Sequence, residues 1–240
     1  MVKPLKTLEP QQARSRESLR KLLKAAAEVL GQHGVEGATI PRIAEHAGLT
    51  PGAVYRRFRD KDTLLETVVL GILERQERTL RLSLPEEMAA KIPFAVLAEQ
   101  LINSMVISYR SQAGLLRAIR QFVQGKENTP FWKKATKLEF RAIEYLVDLL
   151  ASKRGEIHHR DPRIAVALGL RMVTCTLMEL VLNPSNDKSW KGLMPKDDQA
   201  LKRELLLSFL NYVGLESPGT YGIPGGAGTH TELQTHRDLR

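Results

Sequence analysis

Gly52, Ala53, Tyr55, Arg56 and Arg57 are the residues here whose types and spacing could do chemistry, and that chemistry is nucleic-acid binding. On a helix from Pro51 to Phe58, turning about 100° per residue, Val54 and Phe58 point one way with Pro51 close by. Gly52, Ala53 and Arg56 point the other way, and Tyr55 and Arg57 flank the two faces. Small residues at the start of a helix let its backbone approach base edges. A guanidinium can then grip the O6/N7 pair of guanine, or a phosphate. The Tyr55 hydroxyl suits a phosphate while its ring packs. The hydroxyls of Thr39 and Thr50, the helix N-termini and Lys61 offer further donors to the DNA backbone.

These residues need a rigid support, and the chain around them supplies the signals for one. Leu19, Leu22, Leu23, Ala26, Ala27 and Leu30 recur at helical spacing after a start near Ser15, and Gly31 and Gly34 mark an end. Thr39 predicts the cap of a second helix that buries Ile40, Ile43, Ala44 and Ala47. Gly48 supplies the turn. Thr50 and Pro51 are a capping residue followed by a proline at the first helical position, where its missing N–H does no harm. Asp60 or Asp62 caps a fourth helix carrying Leu64, Leu65, Val68, Val69, Ile72 and Leu73, and Pro85 breaks it. Thr39–Lys61 is thus laid out as a helix-turn-helix that enters the major groove.

The segment Gly34–Val69 resembles the TetR family of bacterial transcriptional regulators. The residues that carry the resemblance are Thr39, Ile43-Ala44, Ala47-Gly48-Leu49-Thr50, Gly52, Val54-Tyr55, Phe58, Lys61 and Leu64-Leu65. The resemblance implies DNA contacts from Thr39, Arg42, Thr50, Pro51, Gly52, Ala53, Tyr55, Arg56, Arg57 and Lys61. Pro41 departs from the polar or basic residue that other members often have, and the character of Arg56-Arg57 varies across the family, so these positions are expected to set operator preference. The implied architecture is all-α. It comprises a basic, flexible arm at 1–15, a three-helix DNA-binding domain at 16–62, a helical effector-binding and dimerisation domain at 63–215, and a disordered Gly/Pro-rich tail at 216–240. The implied function is a homodimeric, cytoplasmic regulator of a double-stranded operator, a repressor relieved by a small apolar effector. An activator of the same fold, or a helical interaction protein that does not read DNA, are the competing readings.

Beyond the match, the pattern stays helical over about 92–110, 113–124, 130–153, 162–182 and 197–213, with breakers between most of them. Residues 162–182 are apolar nearly all round, and Leu201, Leu205, Phe209 and Tyr212 share one side of 197–213, so these two segments are expected to form the dimer contact. Phe94, Met105, Tyr109, Phe122, Trp132, Phe140, Tyr145 and Met172 are candidate walls of an effector pocket, with Asn103 and Arg120 as polar contacts.

Composition sets outer bounds. The 240 residues are 42% hydrophobic, enough to bury a core, and the net charge of +9 favours an anionic partner. The single cysteine, Cys175, excludes an internal disulfide. The N-terminus lacks the apolar core of a signal peptide, and no run of about 18 apolar residues predicts a membrane span. No two histidines are four residues apart and no cysteine pair exists, so neither a metal site nor a cofactor is expected. No nucleophile motif or phosphate-binding glycine loop is present, and no catalytic residues are assigned.

Overall fold

The computed structural model describes residues 9–182 and 192–215; the expected tail at 216–240, residues 1–8 of the expected arm, and His230 and His236 lie outside the described residues. Among the described residues every regular element is helical. The helices are α1 (Glu9–Gly37), α2 (Ile40–His46), α3 (Pro51–Tyr55), α4 (Lys61–Ser83), α5 (Glu86–Ala89), α6 (Phe94–Ser111), α7 (Ala113–Gln124), α8 (Pro130–Ala151), α9 (Pro162–Leu177, running on as a π turn over Met178–Leu182) and α10 (Asp198–Val213). α1 begins at Glu9, six residues before Ser15. It also passes Gly31 and Gly34 and ends at Gly37. Gly34 bends it instead of stopping it, because glycine accepts the left-handed φ of 68° there.

Two hydrophobic cores organise these helices. The first joins Leu22, Ala26 and Leu30 of α1 to Ile43 and Ala44 of α2, Val54 of α3, and Leu64, Leu65, Val68 and Val69 of α4. Ala118, Ile119, Phe122 and Val123 of α7 and Phe131, Ala135 and Leu138 of α8 complete it, so the head rests on the body through a continuous apolar contact. The second core lies between α6, α8, α9 and α10, around Phe94, Leu97, Ile102, Leu150, Val166, Leu177 and Phe209. Helix starts are set by side-chain caps: Thr50 to the Ala53 N–H, Asp60 to Thr63, Thr129 to Trp132, Asp161 to Ile164 and Asp197 to Ala200.

Leu201, Leu205 and Phe209 share one side of α10, as their periodicity requires, but that side packs inside the chain against α6 and α9. The stretch Pro162–Leu182 is long and apolar enough, by length and composition, to cross a bilayer. It packs instead along α8 and α10, and its exposed residues include the charged Arg163, Arg171 and Glu179 and the apolar Ile164, Leu168 and Met172. α9 and α10 meet at Gly169, where an added Cβ would stand 2.7 Å from the Phe209 ring. Gly169→Ala should therefore cost about 1–3 kcal/mol of stability through overpacking, measurable by chemical denaturation. An unchanged midpoint would show that this contact relaxes freely.

Candidate nucleic-acid interface

The helix-turn-helix is held from beneath. Ile40, Ile43, Ala44, Val54 and Phe58 are all buried, so the inward face expected from the sequence is the inward face of the structure. Gly48 takes a φ of 65° in the turn, and the Leu49 N–H donates to the Ala44 carbonyl at 2.8 Å, closing α2 against the loop. α3 is regular only to Tyr55. The Arg57 and Phe58 N–H groups both donate to the Val54 carbonyl, at 2.9 and 3.0 Å, and carry the turn on far enough to bury Phe58. His46 Nε2 lies 2.9 Å from Glu28 Oε2, tying the end of α2 to α1, and this contact is the main cause that lowers the Glu28 carboxyl below its ordinary value.

The outward face presents Thr39, Arg42, Thr50, Pro51, Gly52, Tyr55, Arg56 and Arg57 to solvent, with Ala53 half-buried among them. Tyr55 is 56% exposed, so its ring and hydroxyl are open to a partner. A Cβ built on Gly52 would meet nothing within 4 Å, so no internal contact calls for glycine there. Glycine inside a helix costs about 1 kcal/mol relative to alanine, and the space above Gly52 is what an approaching partner would use. The Thr39 carbonyl accepts from the Ile43 N–H of α2 at 2.9 Å, but its side chain caps no N–H, so the hydroxyl stays on the surface. Arg56 and Arg57 form no ion pair with any described residue.

Three of the ten residues have internal duties: besides Thr50, which caps α3, Arg42 and Lys61 each bond a backbone carbonyl. Arg42 Nη1 donates to the Gly37 carbonyl at 2.7 Å, which orients the guanidinium and leaves its other N–H groups outward. Lys61 is half-buried and its ammonium donates to the Val35 carbonyl at 3.0 Å, pinning the start of α4 to the bent end of α1. Arg59, which the sequence did not single out, stands exposed and pairs with Asp60 at 3.0 Å.

Asp60 caps α4 by accepting from the Thr63 N–H at 2.8 Å and the Thr63 hydroxyl at 2.7 Å. The backbone bond first, then the hydroxyl and Arg59, lower its carboxyl from 3.8 to about 2. A depressed carboxyl contributes stability that is complete above its unfolded value and lost as pH falls through its folded one. Asp60→Asn should therefore flatten the pH dependence of stability between about pH 4 and 2, read from denaturation midpoints at several pH values. Identical acid profiles for the two proteins would remove this assignment.

The body contains an apolar cavity of about 660 Å³ between α4, α6, α7, α8 and α9. Of the candidate pocket residues, Met105, Tyr109 and Arg120 line it. The other six candidate wall residues do not. Phe94 stacks on Phe209 in the body core with centroids 6.0 Å apart, and Phe122 packs edge-on to Phe131 in the head core. Trp132 packs against the same head core. Tyr145 is buried beneath Arg81 and donates its hydroxyl to the Leu84 carbonyl at 2.7 Å. Phe140 and Met172 face outward, 61% and 41% exposed. Asn103 lies on a different cleft, between α6 and the start of α10. The walls are mainly aliphatic, with Leu73, Leu116, Ile119, Leu146 and Leu170 among them, so a search for aromatic residues could not find them.

A family model described as bacterial regulatory proteins, tetR family, matches residues 22–68. TtgW of Pseudomonas putida, an uncharacterized HTH-type transcriptional regulator, is 40% identical over 57 residues, covering 24% of this chain. The match spans 42% of that relative's length. A TetR-family structure from Mesorhizobium loti superposes with a TM-score of 0.64 at 21% identity, covering 83% of this chain and 96% of the other. FadR from Bacillus subtilis, solved in complex with stearoyl-CoA, gives 0.57 at 18% identity, covering 81% and 98%. At these identities the likeness speaks to the fold, which extends through the body. The match over residues 22–68 shows that this segment of the chain is similar to the DNA-binding segment of the tetR family of bacterial regulatory proteins.

Proposed function

We propose that this protein is a sequence-specific DNA-binding transcriptional regulator. It acts in the cytoplasm as a homodimer, and as a repressor that a small apolar molecule releases. One observation carries the reading: the exposed face of α2, α3 and the turn that follows sets small residues and then guanidiniums that pair with no described residue above a buried support. Arg56 and Arg57 reach base edges or phosphates. Gly52 and Ala53 allow the close approach, and Thr39, Arg42, Thr50, Pro51, Tyr55 and Lys61 hold the phosphate backbone.

A twofold dimer presents two such faces about 34–36 Å apart, one turn of B-DNA. The face for the second copy is the exposed apolar strip of Phe140 and Ile143 on α8 with Ile164, Leu168 and Met172 on α9, because α10 spends its apolar side within the chain. Leu168→Asp should convert the dimer to monomer and abolish cooperative operator binding. Sedimentation velocity reads the first effect and gel shift the second; a dimer that survives the change moves the interface elsewhere.

Release needs a physical link between cavity and head, and α7 is suited to provide it. One side of α7 lines the cavity with Leu116, Ile119, Arg120 and Val123. Its start meets α1 at Gly31, Gln121 donates to Glu36 at 3.5 Å, and Lys126 just beyond its end pairs with Asp62 and Glu66 of α4. A ligand that moves α7 therefore tilts α1 and α4, the helices against which α2 and α3 pack, favouring a head spacing that no longer fits adjacent grooves. The acyl thioester held by FadR supports an apolar effector for this body. Gel shift and footprinting on the chain's own upstream region test the reading. Protection of an inverted repeat is expected, and folded dimer that protects no fragment at moderate salt overturns autoregulation.

A further inference from the structure

The cavity lining carries three charged groups, and all three act on one phenol. Tyr109 of α6, Arg120 of α7, Glu139 of α8 and Arg171 of α9 each come from a different helix and line the same space. Tyr109 lies within electrostatic reach of the other three. Burial first raises its phenol, Cys175 and Glu139 raise it further, and Arg120 and Arg171 oppose them. Glu139 and Arg171 are solvent-accessible and Arg120 is half-buried, so the cluster sits where the cavity opens, with aliphatic walls behind it. Among the described residues, Arg120, Arg171 and Glu139 make no hydrogen bond and no ion pair. By contrast, Arg163, one helical stretch away on α9, pairs with both Glu144 and Asp148.

Two guanidiniums against one carboxyl leave the mouth with one positive charge, next to a volume that favours hydrocarbon. Desolvation raises the Glu139 carboxyl above its ordinary value, and among the described residues this acid pairs with neither arginine. A neutral apolar ligand would leave the guanidiniums unmatched beside it. A cation would face both of them, and a doubly charged head would overshoot the balance. We propose that the cavity binds an elongated apolar molecule ending in a single carboxylate, held by Arg120 of α7 and Arg171 of α9 with the Tyr109 hydroxyl as a further donor. The carboxylate accepts from both guanidiniums, the strongest class of hydrogen bond available here. This assignment rests on the reading of the body as an effector domain, and it names the chemistry of that effector.

The test uses the full-length protein and four probes of one chain length, each below its micellar concentration: tetradecanoate, tetradecanol, tetradecylammonium and tetradecanoyl-coenzyme A. Calorimetry or displacement of an environment-sensitive dye reads affinity. Tetradecanoate should bind at least about tenfold tighter than the alcohol, and the ammonium should bind weakest. Arg120→Gln and Arg171→Gln should each erase most of that preference while leaving the alcohol's affinity unchanged, a split that loss of folding would not produce. Equal binding of acid and alcohol, tighter binding of the ammonium or the thioester, or a preference that survives both substitutions in folded protein overturns the proposal. A gel shift with tetradecanoate separates the two layers. Arginine-dependent binding that leaves operator occupancy unchanged keeps the ligand assignment and overturns the effector role on which the proposed release depends.

Discussion

Replacing Arg56 and Arg57 together by alanine is expected to abolish specific DNA binding while leaving the fold intact. Both side chains are exposed and pair with no described residue, so their removal costs the head nothing internal. Each bidentate arginine contact to a guanine is worth about 1–3 kcal/mol, so affinity should fall by roughly two orders of magnitude or more when both go. The slope of affinity against salt should also shrink, by about one unit for each guanidinium that grips a phosphate rather than a base. The single substitutions separate these roles. A base-reading arginine relaxes preference at one position of the site, and a phosphate-binding one weakens every sequence alike. Fluorescence anisotropy over a salt series measures all of this. Unaltered affinity and slope would remove α3 as the reading element and favour a helical interaction protein that has kept the fold.

Gly114→Ala is expected to have the second large effect, at a site far from the DNA. An added Cβ would collide with the Gly31 carbonyl oxygen, a backbone atom that cannot swing aside, so α1 and α7 must separate. Overpacking of this kind costs about 1–3 kcal/mol. The more telling consequence is geometric, because this contact seats the head on the body. The variant should lose operator affinity beyond what its fraction unfolded explains, and its response to ligand should weaken, since the push from the cavity wall no longer reaches α1 through a tight joint. Thermal unfolding and gel shift on the same preparation separate the two effects. Full operator affinity in a destabilised variant would show that the joint stabilises the chain without orienting the head.

The head was legible in the sequence because local rules fix it. Gly48 must supply a left-handed turn, Thr50 and Pro51 must open a helix, and Val54 and Phe58 must share a face; all three hold in the structure. What local rules could not settle was long range. Gly31 reads as a helix terminator, yet its use is to let α7 approach α1. The apolar stripe of 197–213 reads equally well as a dimer surface or as a core surface, and packing against α6 and α9 made it core. The four-residue α5 is too short for any periodicity to register. The cavity was the least legible feature. Its walls are leucines, isoleucines and valines, indistinguishable in sequence from core residues. Its polar cluster comes from four helices, with more than sixty residues between Tyr109 and Arg171.

The most direct test of the central claim, that Thr39–Lys61 reads DNA as one half of a twofold dimer, is selection of bound fragments from the source genome followed by footprinting. The account predicts enrichment of an inverted repeat whose half-site centres lie about one helical turn apart, or a multiple of it, with protection lost in the Arg56→Ala, Arg57→Ala protein. Folded dimer that enriches no sequence over random fragments, or that enriches the same sites without those two arginines, would contradict it.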